Sequence, residues 1–177
     1  MIMPSHIDDE EESMLFEEPR FPNLRHLATM QIQEKGASTD PDSILVRSKD
    51  SRALNTESDI VSVRNSVKRV VALLGFSPVN QTKIVTAASE IARNTLDYGG
   101  GGTFTIEVLD ANDRRGVKMI FQDQGPGIAD IEEAMQDGFT SGSGMGLGLG
   151  GSKRLMDDFR ITSTKGEGTV IEMTKWS

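Results

Sequence analysis

The sequence predicts an α+β fold, a two-layer α/β sandwich. Three observations predict it. Two helical stretches with apolar residues spaced three and four apart come first, over 58–74 and 79–98. Two alternating stretches follow, 103–109 and 117–122, joined by the polar turn 110–116. A short helix, a glycine-dense stretch with its own helix, and a second alternating pair, 159–164 and 169–174, come after them. Helices grouped ahead of hairpin-linked strands give two packed layers, with neither internal repeats nor the regular alternation of a barrel.

Residues 1–40 stand apart. They hold nine acidic residues against three basic ones, with Asp8 to Glu12 as a run of like charge. Pro4, Pro19, Pro22 and Pro41 punctuate the segment, and Leu24, Leu27 and Ile32 leave room for one short amphipathic helix over 23–35. The composition predicts a solvated, flexible acidic leader, with a docking or regulatory arm as its alternative. The domain proper then covers 41–177.

Within that domain Ser43 to Arg47 has a short β-like pattern. Thr56 or Ser58 can cap the first helix, whose stripe is Ile60, Val63, Val67, Val70, Val71 and Leu74. Gly75 stops it. The second helix starts near Val79, just after Pro78, and ends at Tyr98 before Gly99 to Gly102. Ile131 to Met135 suits a short helix. Gly138 to Gly151 leads into another through Leu155 and Met156, and Lys165 to Gly168 turns the last hairpin.

Composition narrows the function. The 177 residues are 36% hydrophobic and 26% charged, which fits one soluble domain plus extra length. There is no cysteine, so disulfides and thiolate metal sites are excluded. No apolar run approaches the ~18 residues that span a bilayer, and the first residues lack a secretory pattern. A cytoplasmic protein without a membrane partner is expected. The net charge is −8, and beyond residue 40 there are 18 acidic and 16 basic residues. A nearly neutral domain behind an acidic leader is no general nucleic-acid binder, which needs a basic surface.

Three constellations carry chemistry. Glu90 and Asn94 are four apart on the second helix and share a face, at the edge of the buried stripe Ile84, Ala87, Ala88 and Ile91. A carboxylate beside an amide oxygen suits a base next to a hard cation. Magnesium takes few protein ligands and keeps waters and phosphate oxygens. Asp123 follows a strand and falls on the side of Val117, Met119 and Phe121. A carboxylate walled by apolar groups needs donors, and an adenine amine would supply one. Gly125 and Gly127 remove side chains where a flat ring must approach. Finally, Gly142, Gly144, Met145, Gly146, Leu147 and Gly148 lie in a glycine-rich stretch that enters a helix. Backbone amides there can cradle phosphate oxygens. The stretch is neither a Walker loop nor a Rossmann loop. Each pattern alone has a bland alternative: a solvated helix face, a turn, a linker.

In this order the three patterns resemble those of the GHKL superfamily, over roughly residues 43–177. Ala88-Ser-Glu-Ile-Ala-Arg-Asn94, Asp123-Gln-Gly-Pro-Gly-Ile128 and Lys153-Arg-Leu-Met-Asp157 are similar to its small bacterial switch kinases of the RsbT type. The resemblance implies a Bergerat ATP-binding fold with a mixed, largely antiparallel sheet. It implies ATP and magnesium as cofactors, and a serine or threonine of a STAS-domain antagonist as substrate. A serine phosphatase, or a sigma factor as for anti-sigma factors of the same fold, is a further implied partner. By the same likeness Glu90 matches the general base and Asn94 the magnesium ligand. Asp123, with Gly125 and Gly127, matches the adenine-reading set. Gly142 to Gly148 match the phosphate lid, and Thr169 a hydroxyl near the adenine. Arg93, Lys153 and Arg154 are basic candidates for touching phosphate. The leader is longer than the compact subfamily pattern, and the lid is denser in glycine. The histidines, His6 and His26, both fall in the leader, which speaks against a histidine phosphoacceptor. A noncatalytic module in which nucleotide only gates partner binding stays open as the alternative.

Overall fold

The computed structural model describes residues 44–111, 114–136 and 148–177. The elements run β1 (Leu45–Leu54), α1 (Glu57–Leu73), α2 (Pro78–Asp97), β2 (Gly102–Ala111), β3 (Arg114–Asp123), α3 (Ile131–Ala134), α4 (Gly148–Leu155), β4 (Asp158–Thr164) and β5 (Gly168–Trp176). The leader expected over 1–40 lies outside the described residues.

One sheet has the order β1-β2-β3-β5-β4, with the helices on one side. Period-2 alternation decides which side. Phe104, Ile106 and Val108 of β2 stand opposite Phe121, Met119 and Val117 of β3, and Phe121 and Met119 stand opposite Ile171 and Met173 of β5. All eight side chains are buried. The Phe104 and Phe121 rings meet with centroids 4.9 Å apart and planes tilted by 43°, a geometry that aromatic quadrupoles favour. The opposite face carries polar side chains, including the cross-strand ion pairs Lys49–Glu107 at 3.1 Å and Lys118–Glu172 at 2.6 Å.

The helices cover the apolar face as their spacing predicts. Ile60, Val63, Val67, Val70 and Val71 of α1 are buried with Ile84, Ala87, Ala88, Ile91 and Ala92 of α2. The three alanines keep α2 slim, so its backbone can lie close to the layer beneath. Both helices start on sequence-encoded caps. Ser77 accepts from the N–H of Asn80 at 3.3 Å, and Pro78 follows at the first helical position, where its missing N–H costs nothing. Thr56 and Asp59 form a capping box. The Thr56 hydroxyl accepts from Asp59 N–H at 3.2 Å, and the Asp59 carboxylate accepts from Thr56 N–H at 2.8 Å.

The strands depart from the sequence expectation in extent. β1 reaches Leu54, beyond the short pattern at Ser43 to Arg47. It is an edge strand, so charged residues break its alternation: Arg52, opposite the buried Phe104, is paired at the rim with Asp50. A register shift between Val46 and Ser48 breaks the pattern again. The β2–β3 ladder also continues to Ala111 and Arg114, because backbone pairing persists past the last buried side chains. All four strand pairings among the described residues are antiparallel, where the sequence predicts a mixed, largely antiparallel sheet. In sequence α3 and α4 follow β3, and β4 lies at the far edge of the sheet. β5 then folds back between β4 and β3 and runs against both.

The capping box is testable by pH. The N–H of Asn55, then the Thr56 side chain, hold the Asp59 carboxyl below its ordinary value of 3.8. A depressed folded-state value adds stability that is present above 3.8 and lost as pH falls through the folded-state value. Asp59→Asn is expected to cost about 1 kcal/mol near neutral pH. In urea titrations the gap from wild type should narrow under more acidic conditions.

Candidate functional site

The inward stripe of α2 is buried, so Glu90 and Asn94, one turn apart at its margin, are left half-exposed. One Glu90 carboxylate oxygen accepts the N–H of Gly148 at 3.1 Å. Gly148 is the first residue of α4 and has a φ of 64°. The helix-borne acid is thereby oriented by the point where the glycine-rich stretch becomes helix. Asn94 is tied to the end of its own helix, its carbonyl accepting the N–H groups of Tyr98 at 3.0 Å and Gly99 at 3.3 Å.

Asp123, the last residue of β3, faces the helix layer as alternation predicts and is half-buried. One carboxylate oxygen accepts the N–H of Gly125 at 3.0 Å and that of Thr169 at 3.1 Å. These donors meet the cost of holding a carboxylate among apolar groups. The side chain lies against Gly99, where a Cβ would stand 2.5 Å from the Asp123 Cβ. Gly125 packs on the same spot, with room for no Cβ: one there would fall 2.7 Å from the Gly99 Cα. Gly127 follows in the same turn. The strand-end acid and the end of α2 are therefore in van der Waals contact, with Asn94 hydrogen-bonded to the residue that Asp123 touches.

Thr169 is buried at the start of β5. Its hydroxyl lies 2.9 Å from that of Ser163, which also donates to the Gly168 carbonyl at 2.9 Å and accepts the N–H of Ile128 at 2.8 Å. Ser163 is not among the residues that the sequence motifs single out. A signal exists: it occupies the inward position of β4 after Phe159 and Ile161, where a hydroxyl interrupts an apolar alternation.

Of the predicted site residues, Glu90, Asn94, Asp123, Gly125, Gly127, Gly148 and Thr169 are thus placed at one end of the helix–sheet interface. Gly142, Gly144, Met145, Gly146 and Leu147 lie outside the described residues. Arg93 is turned away: its guanidinium meets the Glu57 carboxylate of α1 at 3.2 and 3.4 Å. Lys153 and Arg154 are exposed on α4. A hollow of about 450 Å³ includes Asp123 and Thr169 but neither Glu90 nor Asn94. Ser163 lines it as well, with Gln122, Thr162 and Val170 from the helix-free face, so it reaches the strand-end part of the site and not the Glu90–Asn94 face.

Among the described residues no cluster of three or more His, Cys, Asp or Glu is placed to hold a metal. A cation beside Asn94 would rest mainly on phosphate oxygens and water, a donor set that fits magnesium. Among the same residues no helix is long and apolar enough to cross a membrane.

Known proteins are similar to this chain. The profile of the histidine kinase-like ATPase domain matches residues 53–175. The serine/threonine-protein kinase RsbT of Bacillus subtilis (strain 168) is 49% identical over 121 residues, 68% of this chain and 91% of the relative. An anti-sigma F factor of Thermoanaerobacter sp. (strain X514) is 35% identical over 99 residues, 52% of this chain and 68% of that protein. The solved RsbU and RsbW domains of Rv1364c from Mycobacterium tuberculosis match with a TM-score of 0.50 at 20% identity. That match covers 72% of this chain and 31% of the other, and shows the fold.

The Gly99 contact gives a direct test. Gly99→Ala should lower stability by about 1–3 kcal/mol through overpacking against Asp123, read as a lower midpoint in chemical denaturation.

Proposed function

We propose that this chain, which belongs to the histidine kinase-like ATPase family, is an ATP-dependent serine/threonine protein kinase acting on a STAS-domain partner. The observation that carries the proposal is the convergence on α2. A base-capable carboxylate and an amide share one face of the helix, and a strand-end carboxylate packs against Gly99 at its end. The 49% identity to a serine/threonine-protein kinase supports it.

The roles are those that the likeness implies, and the chemistry of each group fits them. Glu90 is the general base: Gly148 holds one carboxylate oxygen, and the other takes the proton of the attacking hydroxyl. Asn94 holds magnesium through its amide oxygen. That ion, when bound, neutralises charge on the triphosphate. Asp123 accepts from the adenine amine, with Thr169 beside it; Gly125 and Gly127, expected to leave room for the ring, instead let the turn pack against the backbone of Gly99 and Thr164. The phosphate role that the likeness implies for Gly142, Gly144, Met145, Gly146, Leu147 and Gly148 is part of the same proposal. The protein works in the cytoplasm, and a serine phosphatase is a second partner.

The likeness to anti-sigma F factors favours one further reading, capture of a sigma factor by the same fold. A module that binds nucleotide without transferring phosphate is the noncatalytic alternative. Incubation with radiolabelled ATP and a STAS-domain protein separates the three. Label should move to the substrate with wild type, and Glu90→Gln should slow transfer by about 10²-fold or more with little change in ATP affinity. Tight ATP binding without transfer would leave the module, and a stable complex with a sigma factor would add the anti-sigma role. By calorimetry Asn94→Ala should lose the magnesium-dependent part of ATP affinity; unchanged dependence would remove Asn94 from that role.

A further inference from the structure

Hydrogen-bond bookkeeping around Ser163 yields a specificity device within this site, and it rests on the proposed adenine pocket. A serine hydroxyl has one proton and two lone pairs. The Gly168 carbonyl can only accept, so the 2.9 Å contact takes the Ser163 proton. The Ile128 N–H can only donate, so the 2.8 Å contact takes one Ser163 lone pair. One lone pair remains. The 2.9 Å contact with Thr169 is then a hydrogen bond only if Thr169 is its donor. Thr169 thus spends its single proton inside the fold and has only lone pairs left to offer.

Asp123 is constrained in the same direction. The N–H groups of Gly125 and Thr169 are both on one carboxylate oxygen, which leaves the second as an acceptor. We infer that Ser163, by fixing the Thr169 hydroxyl as its donor, leaves Thr169 and Asp123 both as acceptors at the strand end and sets the preference for a 6-amino over a 6-oxo purine at that position. An adenine amine brings donors to that surface. A hypoxanthine or guanine brings O6, an acceptor that would face the lone pairs of Thr169 and Asp123. Ser163 acts through Thr169 and is a positioning residue.

Removing Ser163 frees the Thr169 proton. The hydroxyl can then rotate and donate to O6 while Asp123 accepts from N1–H of the same base. The affinities of the full chain for ATP and for inosine triphosphate, measured by calorimetry with magnesium present, test this. The ratio of the two affinities matters, because general damage to the pocket affects both ligands. Ser163→Ala should lower the ATP preference about five- to tenfold, the scale of one hydrogen bond. Ser163→Thr, which keeps the hydroxyl, should retain the preference. Thr169→Val should lower it alone, by removing lone pairs that accept from a 6-amino group and repel O6, and in that background Ser163→Ala should change it no further. This keeps the test alive if Ser163→Ala folds poorly. Wild type that prefers ATP while Ser163→Ala and Thr169→Val both keep its ratio overturns the inference and leaves the kinase proposal standing. Wild type that binds neither nucleotide overturns both.

Discussion

The site depends on one bridging interaction, the pair of backbone N–H groups held by a single oxygen of Asp123. Gly125 supplies one from the turn after β3, and Thr169 supplies the other from the start of β5. A carboxylate at the end of an apolar strand face would be expelled toward water without such donors. With them, the strand end, the following turn and the next hairpin are joined at one point. Gly99 and Gly125 then let α2 close on that point, since either position with a side chain would push the helix end away.

From that junction the contacts run along α2. Gly99, against Asp123, donates to the Asn94 carbonyl. Asn94 lies one turn from Glu90, and Glu90 accepts from the first amide of α4. Three segments far apart in sequence, the end of β3 with its turn, the start of β5 and the start of α4, meet around half of one helix. This gives a physical sense to the proposed division of labour: the rigid helix sets the spacing of base and metal ligand, while the strand end reads the base of the nucleotide. The cross-strand charge pairs lie on the opposite side of the sheet.

Much of this was legible in the sequence because it is periodic or local. The stripes of α1 and α2, the cap at Thr56, and the inward side of Asp123 all follow from spacing of a few residues. Edge behaviour was not legible: Asp50 and Arg52 interrupt β1, yet the strand continues because β2 supplies its hydrogen bonds. Nor were contacts between distant segments. Spacing alone does not reveal that Arg93 spends its charge on Glu57, or that Gly148 seats the Glu90 carboxylate. Ser163 was the least visible: its local pattern shows only a hydroxyl after two inward apolar residues, and its three partners lie on other turns and strands.

The central claim is that one nucleotide engages the strand end and the α2 face together. The most direct test is amide chemical-shift mapping during titration with a nonhydrolysable ATP analogue and magnesium. The amides of Asn94, Gly99, Gly125, Gly148 and Thr169 should move along one saturation curve with a single dissociation constant. Shifts that saturate separately at the two ends, or that spare Gly125 and Thr169 while others move, would contradict it.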